Sequence, residues 1–405
     1  MSGRVGRRTR GGKARISDRY LRSTLAVCGG ALLLCLPAIA NGFPFMFYDT
    51  LHYFAVGKKI VGTIAEALHI PMPPEPLPPG VNPAMREAVK YSMYSYLGGR
   101  SPYYGVPFYA LCKMFGGWGP AVAQAFVGAW LVWLYTKLLD LRARTYFEII
   151  AYLTLASALP WTAMFLMPDV FGGYAIITAA ALVFWWDKLG LPARIACFAI
   201  LTASAAFHGI NLLLVIAALP LALLVLWLIK RPRGDFVRAG GVLSAAIVIA
   251  LVAGAAYPMA AKALGKELRT PPFLTARVLA DGPGRVYLRK ACANETPYEL
   301  CRFKNLELKE GNLILWSVYP QRGIYMSQPP AVQRKLIEEQ IPFVWAVATH
   351  ETIPQIGASL RNWGMQLISF DVSDLSLLGD GWKRTAAAGS IDETLMPWMR
   401  TPAVD

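Results

Sequence analysis

The apolar residues of this chain are gathered into seven long stretches, and polar segments separate them. The stretches cover residues 22–42, 119–137, 147–166, 170–186, 194–209, 210–229 and 239–260. A helix needs about 20 apolar residues to cross the hydrocarbon core of a bilayer, and these stretches have or approach that length. The pattern predicts an all-α polytopic membrane protein, with about seven transmembrane helices in a transmembrane domain at 22–260.

A long loop, residues 43–118, separates the first stretch from the second. Its residues 50–69 carry apolar side chains at helical spacing opposite charged ones. That pattern is typical of an amphipathic helix lying in the membrane interface. A proline-rich linker follows at 71–80, and a second helical stretch at 84–98. Segment 102–115 is too short to span a bilayer, so we expect it to form an interfacial or re-entrant helix.

Residues 261–405 contain no stretch that is long and apolar enough to cross, and we expect them to form a small extracytoplasmic C-terminal domain. An amphipathic helical pattern at 342–369 is interrupted by Pro354. Cys292 and Cys301 have the spacing C-x8-C in this region. Disulfides persist outside the cytoplasm, so we expect these two cysteines to be paired.

Lys and Arg are concentrated beside the apolar stretches. A basic tail at 1–21 precedes the first stretch. The short loops predicted on the same side of the membrane as this tail also carry Lys or Arg: 137–144, 188–194 and 230–238. The short loops on the other side, near 167–170 and 207–211, carry none. Because cytoplasmic loops are enriched in Lys and Arg, we expect a bacterial inner-membrane protein with a cytoplasmic N-terminus and a periplasmic C-terminus.

Residues 1–40 also resemble a cleavable signal peptide. They combine a basic region, an apolar region and Ala38-Ile39-Ala40, which is similar to an A-x-A cleavage site. The basic region is long, however, and the apolar run continues to Phe47. These features favour an uncleaved anchor, and cleavage would leave the orientation of the other spans unchanged.

The overall charge is +15, from 40 Lys and Arg against 25 Asp and Glu, while only 16% of residues are charged. Soluble domains contain roughly 25% charged residues, so the deficit favours lipid as the solvent. The excess of basic residues lies beside predicted spans, where it sets topology and contacts anionic headgroups. We therefore expect membrane lipids, and not nucleic acid, as partners.

Signature motifs of several common enzyme classes are missing from the sequence: the P-loop, the dinucleotide fingerprint, G-x-S-x-G and H-E-x-x-H. The four histidines lack metal-ligand spacing, so no metal site is predicted; the sequence identifies no cofactor with certainty, and a role for a divalent cation stays open. Polar side chains instead gather at the predicted outer ends of the spans: Asp49, Arg100, Tyr103, Tyr104, Asp169, His208 and Asn211. Carboxylate, guanidinium and imidazole groups at a lipid–water boundary are suited to a lipid-linked phosphate.

Each of these residues also has an ordinary structural explanation. Asp49 and Asp169 precede predicted helices, where Asp is a favoured N-cap. Arg100 can extend to lipid headgroups, and His208 can form a hydrogen bond within a helix joint. Tyrosines are common in the interfacial aromatic belt. The sequence leaves the catalytic and structural roles open.

A first span that delivers an acidic residue into a long exterior loop, followed by an amphipathic helix and Arg100-Ser101-Pro102-Tyr103-Tyr104, resembles membrane glycosyltransferases of the type-C fold. In this resemblance Asp49 occupies the position of the family's catalytic Asp in the first loop. The segment from Arg100 stands at its (Arg/His)-Pro-Pro-Leu-Tyr motif, with one Pro missing. Asp169 stands at the acidic residue of its second exterior loop. The first loop also resembles a group of uncharacterised bacterial membrane proteins.

The resemblance implies transfer of a sugar from a polyprenyl-phosphate donor to an envelope acceptor at the outer face of the membrane. Its catalytic residues would be Asp49 and Asp169. The residues expected to bind substrate are Arg100, Tyr103, Tyr104, His208 and Asn211. Two other functions stay open: a non-enzymatic membrane subunit whose exterior domain binds an envelope partner, and an acyl or phospho-group transferase that uses His208.

Overall fold

The computed structural model describes residues 9–71, 99–265, 268–293, 298–317 and 319–369, with the backbone alone at 9–20 and Tyr48. All regular structure in these ranges is helical, and the single β-interaction among them is an isolated parallel bridge between Phe45 and Phe165. The described residues form two compact units. The first contains those up to residue 260 except Gly99, and the second contains Gly99 and those from residue 261 onward.

In its described part, the first unit contains eleven α-helices. In chain order they are α1 (Thr9–Leu34), α2 (Leu36–Asn41), α3 (Tyr48–Ala67), α4 (Pro102–Phe115), α5 (Trp118–Leu138), α6 (Ala143–Ala156), α7 (Leu159–Met164), α8 (Val170–Phe184), α9 (Leu191–Phe207), α10 (Gly209–Leu228) and α11 (Arg233–Ala263). The predicted amphipathic helix at 50–69 corresponds to α3, and the predicted short segment corresponds to α4. The predicted linker from residue 72 onward and the stretch 84–98 lie outside the described residues.

Three helices in the described part of the chain are long and apolar enough to cross a membrane: α5, α10 and α11. The part of α1 from Leu21 onward, α8 and α9 are also apolar but shorter. The regular structure of the described residues is thus entirely helical, and several of the helices are apolar enough to lie in a membrane.

Two of the predicted spans are not single helices. The stretch 147–166 is divided at Ser157, whose hydroxyl donates to the Leu153 carbonyl (2.6 Å) and accepts from the amide of Leu159 (3.2 Å). These bonds replace helical ones, and Pro160 lies in the first turn of the next short helix. The stretch 22–42 is divided at Cys35 because Pro37 follows, and proline is tolerated in a first helical turn but not in a helix interior.

Helices α3 and α4 cross with their backbones in contact. A Cβ atom added at Gly57 would lie 2.1 Å from the carbonyl oxygen of Gly105, and one added at Gly105 would lie 2.8 Å from the Tyr53 carbonyl oxygen. Small residues such as glycine permit helix backbones to approach this closely. This crossing fixes the start of α3 relative to the start of α4.

The second unit has six α-helices among its described residues. They are α12 (Phe273–Asp281), α13 (Pro283–Ala293), α14 (Gly311–Trp316), α15 (Pro330–Glu338), α16 (Gln340–His350) and α17 (Thr352–Ile368). Its core includes Leu279, Leu288, Leu336 and Phe343, which are 0–1% exposed. A disulfide joins Cys292 to Cys301, with the sulfur atoms 2.00 Å apart.

The break in the predicted helix at 342–369 is displaced from its expected position. The structure separates α16 from α17 at Glu351, and Pro354 lies in the first turn of α17. A proline there causes no break because the first amides of a helix have no partner within the helix.

Candidate functional site

Two loops of the first unit carry the predicted acidic residues, and a parallel bridge holds these loops side by side. The amide of Phe45 donates to the Met164 carbonyl (3.0 Å), and the amide of Leu166 donates to the Phe45 carbonyl (2.9 Å). Asp49 and Asp169 each follow four residues after a bridge residue, Phe45 or Phe165. The bridge therefore brings the two carboxylates to the same end of the helical bundle.

Asp49 lies in the first turn of α3 and is tied to two basic side chains. Its Oδ1 accepts a hydrogen bond from Arg100 Nη2 at 2.5 Å, and His52 Nδ1 is 3.7 Å away. Burial raises the pKa of Asp49, but the nearby His52 side chain and the charge and hydrogen bond of Arg100 outweigh that effect. The net effect holds the pKa of Asp49 below its usual range, so this carboxylate is ionised at neutral pH. Asp49 is not the N-cap of this helix. Phe47 holds that position, and its amide donates to Thr50 Oγ1 in the first turn.

Arg100 is held in place by the start of α4. The hydroxyl of Ser101 accepts from the amide of Tyr103 (3.2 Å) as an N-cap and donates to the carbonyl of Ala206 (2.6 Å). The Arg100 guanidinium lies 5.8 Å from the centre of the Tyr53 ring, and only 14% of its side chain is exposed. Arg100 is therefore a largely buried cation that is held beside the start of α3.

Asp169 stands at the N-cap position of α8, where its side chain makes no capping hydrogen bond. The side chain is exposed, but surrounding protein displaces part of its water, and this desolvation raises the pKa of Asp169. The Asp49 charge raises it further, while His208 and Arg100 act in the opposite direction. Asp169 is thus the more basic of the two carboxylates.

His208 caps the N-terminus of α10. Its Nδ1 accepts a hydrogen bond from the amide of Ile210 at 3.2 Å, so its neutral form carries the proton on Nε2. Burial lowers the pKa of His208, and the Asp169 carboxylate partly offsets that effect. Asn211 is 1% exposed, and its side chain donates to the Pro168 carbonyl at 3.4 Å. Asn211 therefore supports the Asp169 loop from inside the bundle.

Four of the predicted residues form one electrostatically coupled group. The charges of Asp49, Arg100 and His208 all act on Asp169, and those of Asp49, Arg100 and Asp169 all act on His208. The group combines two carboxylates, a guanidinium and an imidazole that come from four separate elements. Such a group can bind an anion through Arg100 and accept a proton through a carboxylate.

The two tyrosines of the predicted motif anchor α4. The hydroxyl of Tyr103 donates to the Ala253 carbonyl of α11 at 2.7 Å, and its ring is 37% exposed. Tyr104 is buried, its hydroxyl donates to Gln124 Oε1 at 3.0 Å, and its ring packs edge-on against Tyr53. Tyr104 is therefore a core residue that positions α4, since no face of its ring is open to a substrate.

Three residues of the site are not among those predicted. His52 is three residues from Asp49 on α3, and this i,i+3 spacing on a predicted helix was the available signal. Tyr53 lies under Arg100, and Gln124 of α5 donates to the carbonyls of Ala163 and Phe165. No local signal marks the last two, because their partners are distant in sequence.

Among the described residues, no group of three or more His, Cys, Asp or Glu side chains is arranged to hold a metal ion. Comparison of this chain with protein-family models, with curated proteins and with solved structures finds no match.

Proposed function

We propose that this protein transfers a sugar from a polyprenyl-phosphate donor to an envelope acceptor at the outer face of a bacterial inner membrane. The observation that carries the proposal is the ion pair between Asp49 and Arg100, formed where the Phe45–Phe165 bridge also places the Asp169 loop. A phosphate-bearing donor requires a cation that is held in place, and the acceptor hydroxyl requires a base within reach. Arg100 and Asp49 supply these two groups side by side.

The proposed topology has seven crossings, with the N-terminus in the cytoplasm and residues 261–405 in the periplasm. The crossings are α1 with α2, then α5, α6 with α7, α8, α9, α10 and α11. Helices α6 and α7 contain 14 and 6 residues, so together they approach the length of one span. The distribution of Lys and Arg in the short loops supports this orientation.

In the proposed reaction Asp49 is the general base. Arg100 and His52 both approach this carboxylate at Oδ1, and we assign the proton transfer to Oδ2. Oδ2 takes the hydroxyl proton as the acceptor oxygen forms a bond to the anomeric carbon. The bond from that carbon to the donor phosphate breaks, and its electron pair stays on the phosphate. A single displacement of this kind inverts the anomeric centre.

Arg100 offsets the negative charge that grows on the departing phosphate. Donors that are already aimed at a developing charge are worth about 10²–10³ in rate. The buried stem of Arg100 and its contact with Tyr53 keep the guanidinium in one position before substrate arrives. Asp169, with its raised pKa, is placed to accept a proton or to bind sugar hydroxyls.

A non-enzymatic membrane subunit is the second candidate, and the same ion pair favours it. Asp49 and Arg100 join α3 to α4, which is also what a purely structural salt bridge would do. Proposals that use His208 as a nucleophile are weaker, because its Nδ1 is occupied by the Ile210 amide.

The test is transfer from a labelled polyprenyl-phosphate sugar in membranes that contain the wild-type protein or a variant. Asp49→Asn keeps the size of the side chain and an oxygen for Arg100, but it removes the base. We expect transfer to fall by about 10²–10⁴, while insertion into the membrane stays normal. The matched control is Asp140→Asn, whose carboxylate is 81% exposed and pairs with Lys188. An active Asp49→Asn protein would rule out this mechanism, and a wild-type protein without transfer would favour the structural subunit.

A further inference from the structure

Helix α17 of the second unit directs polar side chains into the unit and exposes an apolar side. The side chains of Glu351, Gln355 and Asn362 point into the unit, together with buried Ala358. On the opposite side a stripe repeats every three or four residues: Ile353, Ile356, Leu360, Trp363 and Leu367. Every member of this stripe is exposed, from 55% for Ile356 to 83% for Ile353.

The inward face of α17 is held by polar contacts. Asp281 is 6% exposed and accepts hydrogen bonds from Gln355 (3.1 Å) and Asn362 (2.9 Å), and it pairs with Arg277. Glu351, at the start of the helix, pairs with Lys290 at 2.6 Å. These contacts fix the rotation of α17, so the apolar stripe cannot turn inward without breaking them.

A helix at a water-exposed surface ordinarily buries its apolar stripe and exposes its polar face. The reverse arrangement means that the outward face of α17 is built for surroundings other than water. The apolar surface extends onto α16, where Ile341 is 64% exposed and Trp345 is 71% exposed. Two neighbouring helices of the second unit therefore each carry an exposed tryptophan, Trp345 and Trp363.

We propose that this surface, the five-residue stripe of α17 with Ile341 and Trp345 of α16, inserts into the lipid–water boundary of the membrane. Tryptophan is enriched at that boundary, and helices with one apolar face lie in it. The chain also enters the second unit directly from α11, a helix suited to span a membrane. A tether of this kind raises the effective concentration of the surface at the bilayer. The inference rests on the proposed membrane embedding and not on the proposed chemistry.

The experiment uses the full chain in liposomes of phosphatidylcholine and phosphatidylglycerol that contain a phospholipid with a photoactivatable diazirine on its acyl chain. After irradiation, lipid adducts are mapped by mass spectrometry. We expect adducts on α17 at its stripe, in addition to adducts on α10 and α11. Buried Phe343 of α16 should stay unlabelled, which reports that the second unit remains folded.

The double variant Leu360→Ser with Trp363→Ser should lower labelling of α17 by at least about threefold, with a residual signal because the tether remains. Gln366→Ser, which changes an exposed polar residue of the same helix and leaves all members of the stripe in place, should leave labelling unchanged. Labelled α10 and α11 with an unlabelled α17 would overturn the inference. So would crosslinks from α17 to another protein, to a second copy or to another part of this chain in place of lipid. Absence of label from α10 and α11 would instead overturn the membrane embedding itself.

Discussion

Asp49 and Asp169 each lie four residues after a residue of the same parallel bridge, yet the pKa values of their carboxyl groups are shifted in opposite directions. Asp49 is paired with Arg100 and His52, and its pKa is lowered. Asp169 is exposed, has no ion pair within the described part of the chain, and its pKa is raised. The pKa of Asp49 is lowered by His52, three residues away on the same helix, and by Arg100, far away in sequence. Desolvation raises the pKa of Asp169. The loops therefore decide where the two carboxylates lie, and the groups around each carboxylate decide how basic it is.

Arg100→Ala should have the largest effect on the difference between the two carboxyl groups, because it removes a charge that lowers the pKa of Asp49. The substitution removes the partner of Asp49 and the cation proposed to meet the donor phosphate. We expect transfer to fall by about 10²–10³, equivalent to about 2.7–4 kcal/mol in the barrier. The pKa of Asp49 should rise at the same time, since burial would then act without the opposing guanidinium.

The measurement is single-turnover transfer as a function of pH. Arg100→Lys keeps the charge and loses the planar fork, so its activity should lie between those of the wild type and the alanine variant. Equal activity in the wild type and Arg100→Ala would mean that the ion pair has no part in the chemistry.

A second test changes the geometry of the pair without touching either partner. Gly57→Ala places a methyl group 2.1 Å from the backbone oxygen of Gly105, so α3 and α4 must separate. Overpacking of this kind costs about 1–3 kcal/mol, and thermal unfolding in detergent should show a lower Tm. Gly62→Ala is the matched control on the same helix, since its added methyl group meets nothing within 4 Å. Equal stability of the two variants would contradict the described crossing.

The third test compares the stabilities of two isosteric variants. Asp49→Asn removes the ion partner of Arg100, which is 14% exposed, and we expect a loss of about 1–3 kcal/mol at pH 7. A carboxyl group with a lowered pKa stabilises the fold above its unfolded pKa, and this stabilisation is lost as the pH falls. The deficit of Asp49→Asn should therefore shrink below about pH 4.

Asp169→Asn should behave differently in the same measurement. Its raised pKa means that the ionised form is disfavoured in the fold, so removal of the charge should leave stability at pH 7 equal or slightly higher. Because the side chain is exposed, the change should stay within about 0.5 kcal/mol. A large loss of stability in Asp169→Asn would contradict this prediction, because it would show that another group in the folded protein stabilises the ionised carboxylate.

Much of the helical framework follows from sequence because it depends on local patterns. The apolar stretches at 210–229 and 239–260 correspond to α10 and to part of α11, and the amphipathic stretch at 50–69 corresponds to α3. The divisions at Cys35 and Ser157 were not predicted. Their causes, Pro37 and the Ser157 hydroxyl, act over a single turn, and an average over 20 apolar residues hides them.

The site was predictable as a set of residue types but not as a set of contacts. Asp49, Arg100, Asp169 and His208 stand out because polar residues at the ends of apolar stretches are few. The Phe45–Phe165 bridge brings the loops of Asp49 and Asp169 together, and no residue type in the sequence predicts that bridge. The predicted substrate-binding role of Tyr104 does not fit its burial, because sequence cannot distinguish an aromatic belt from a core. Packing between α4, α5 and α9 decides that question.

The smallest predicted effect concerns the His208 cap beside Asp169. His208→Ala removes the acceptor of the Ile210 amide and should cost about 1 kcal/mol, whereas His208→Asn keeps a good cap and should cost little. The pKa of His208 is lowered by burial, so in the wild type the unfolded chain takes up the proton first as the pH falls. Wild-type stability should then decline below about pH 6.5, and its advantage over His208→Ala should narrow. Thermal unfolding between pH 8 and pH 5 measures this directly, and a constant gap across that range would mean that the imidazole does not cap α10.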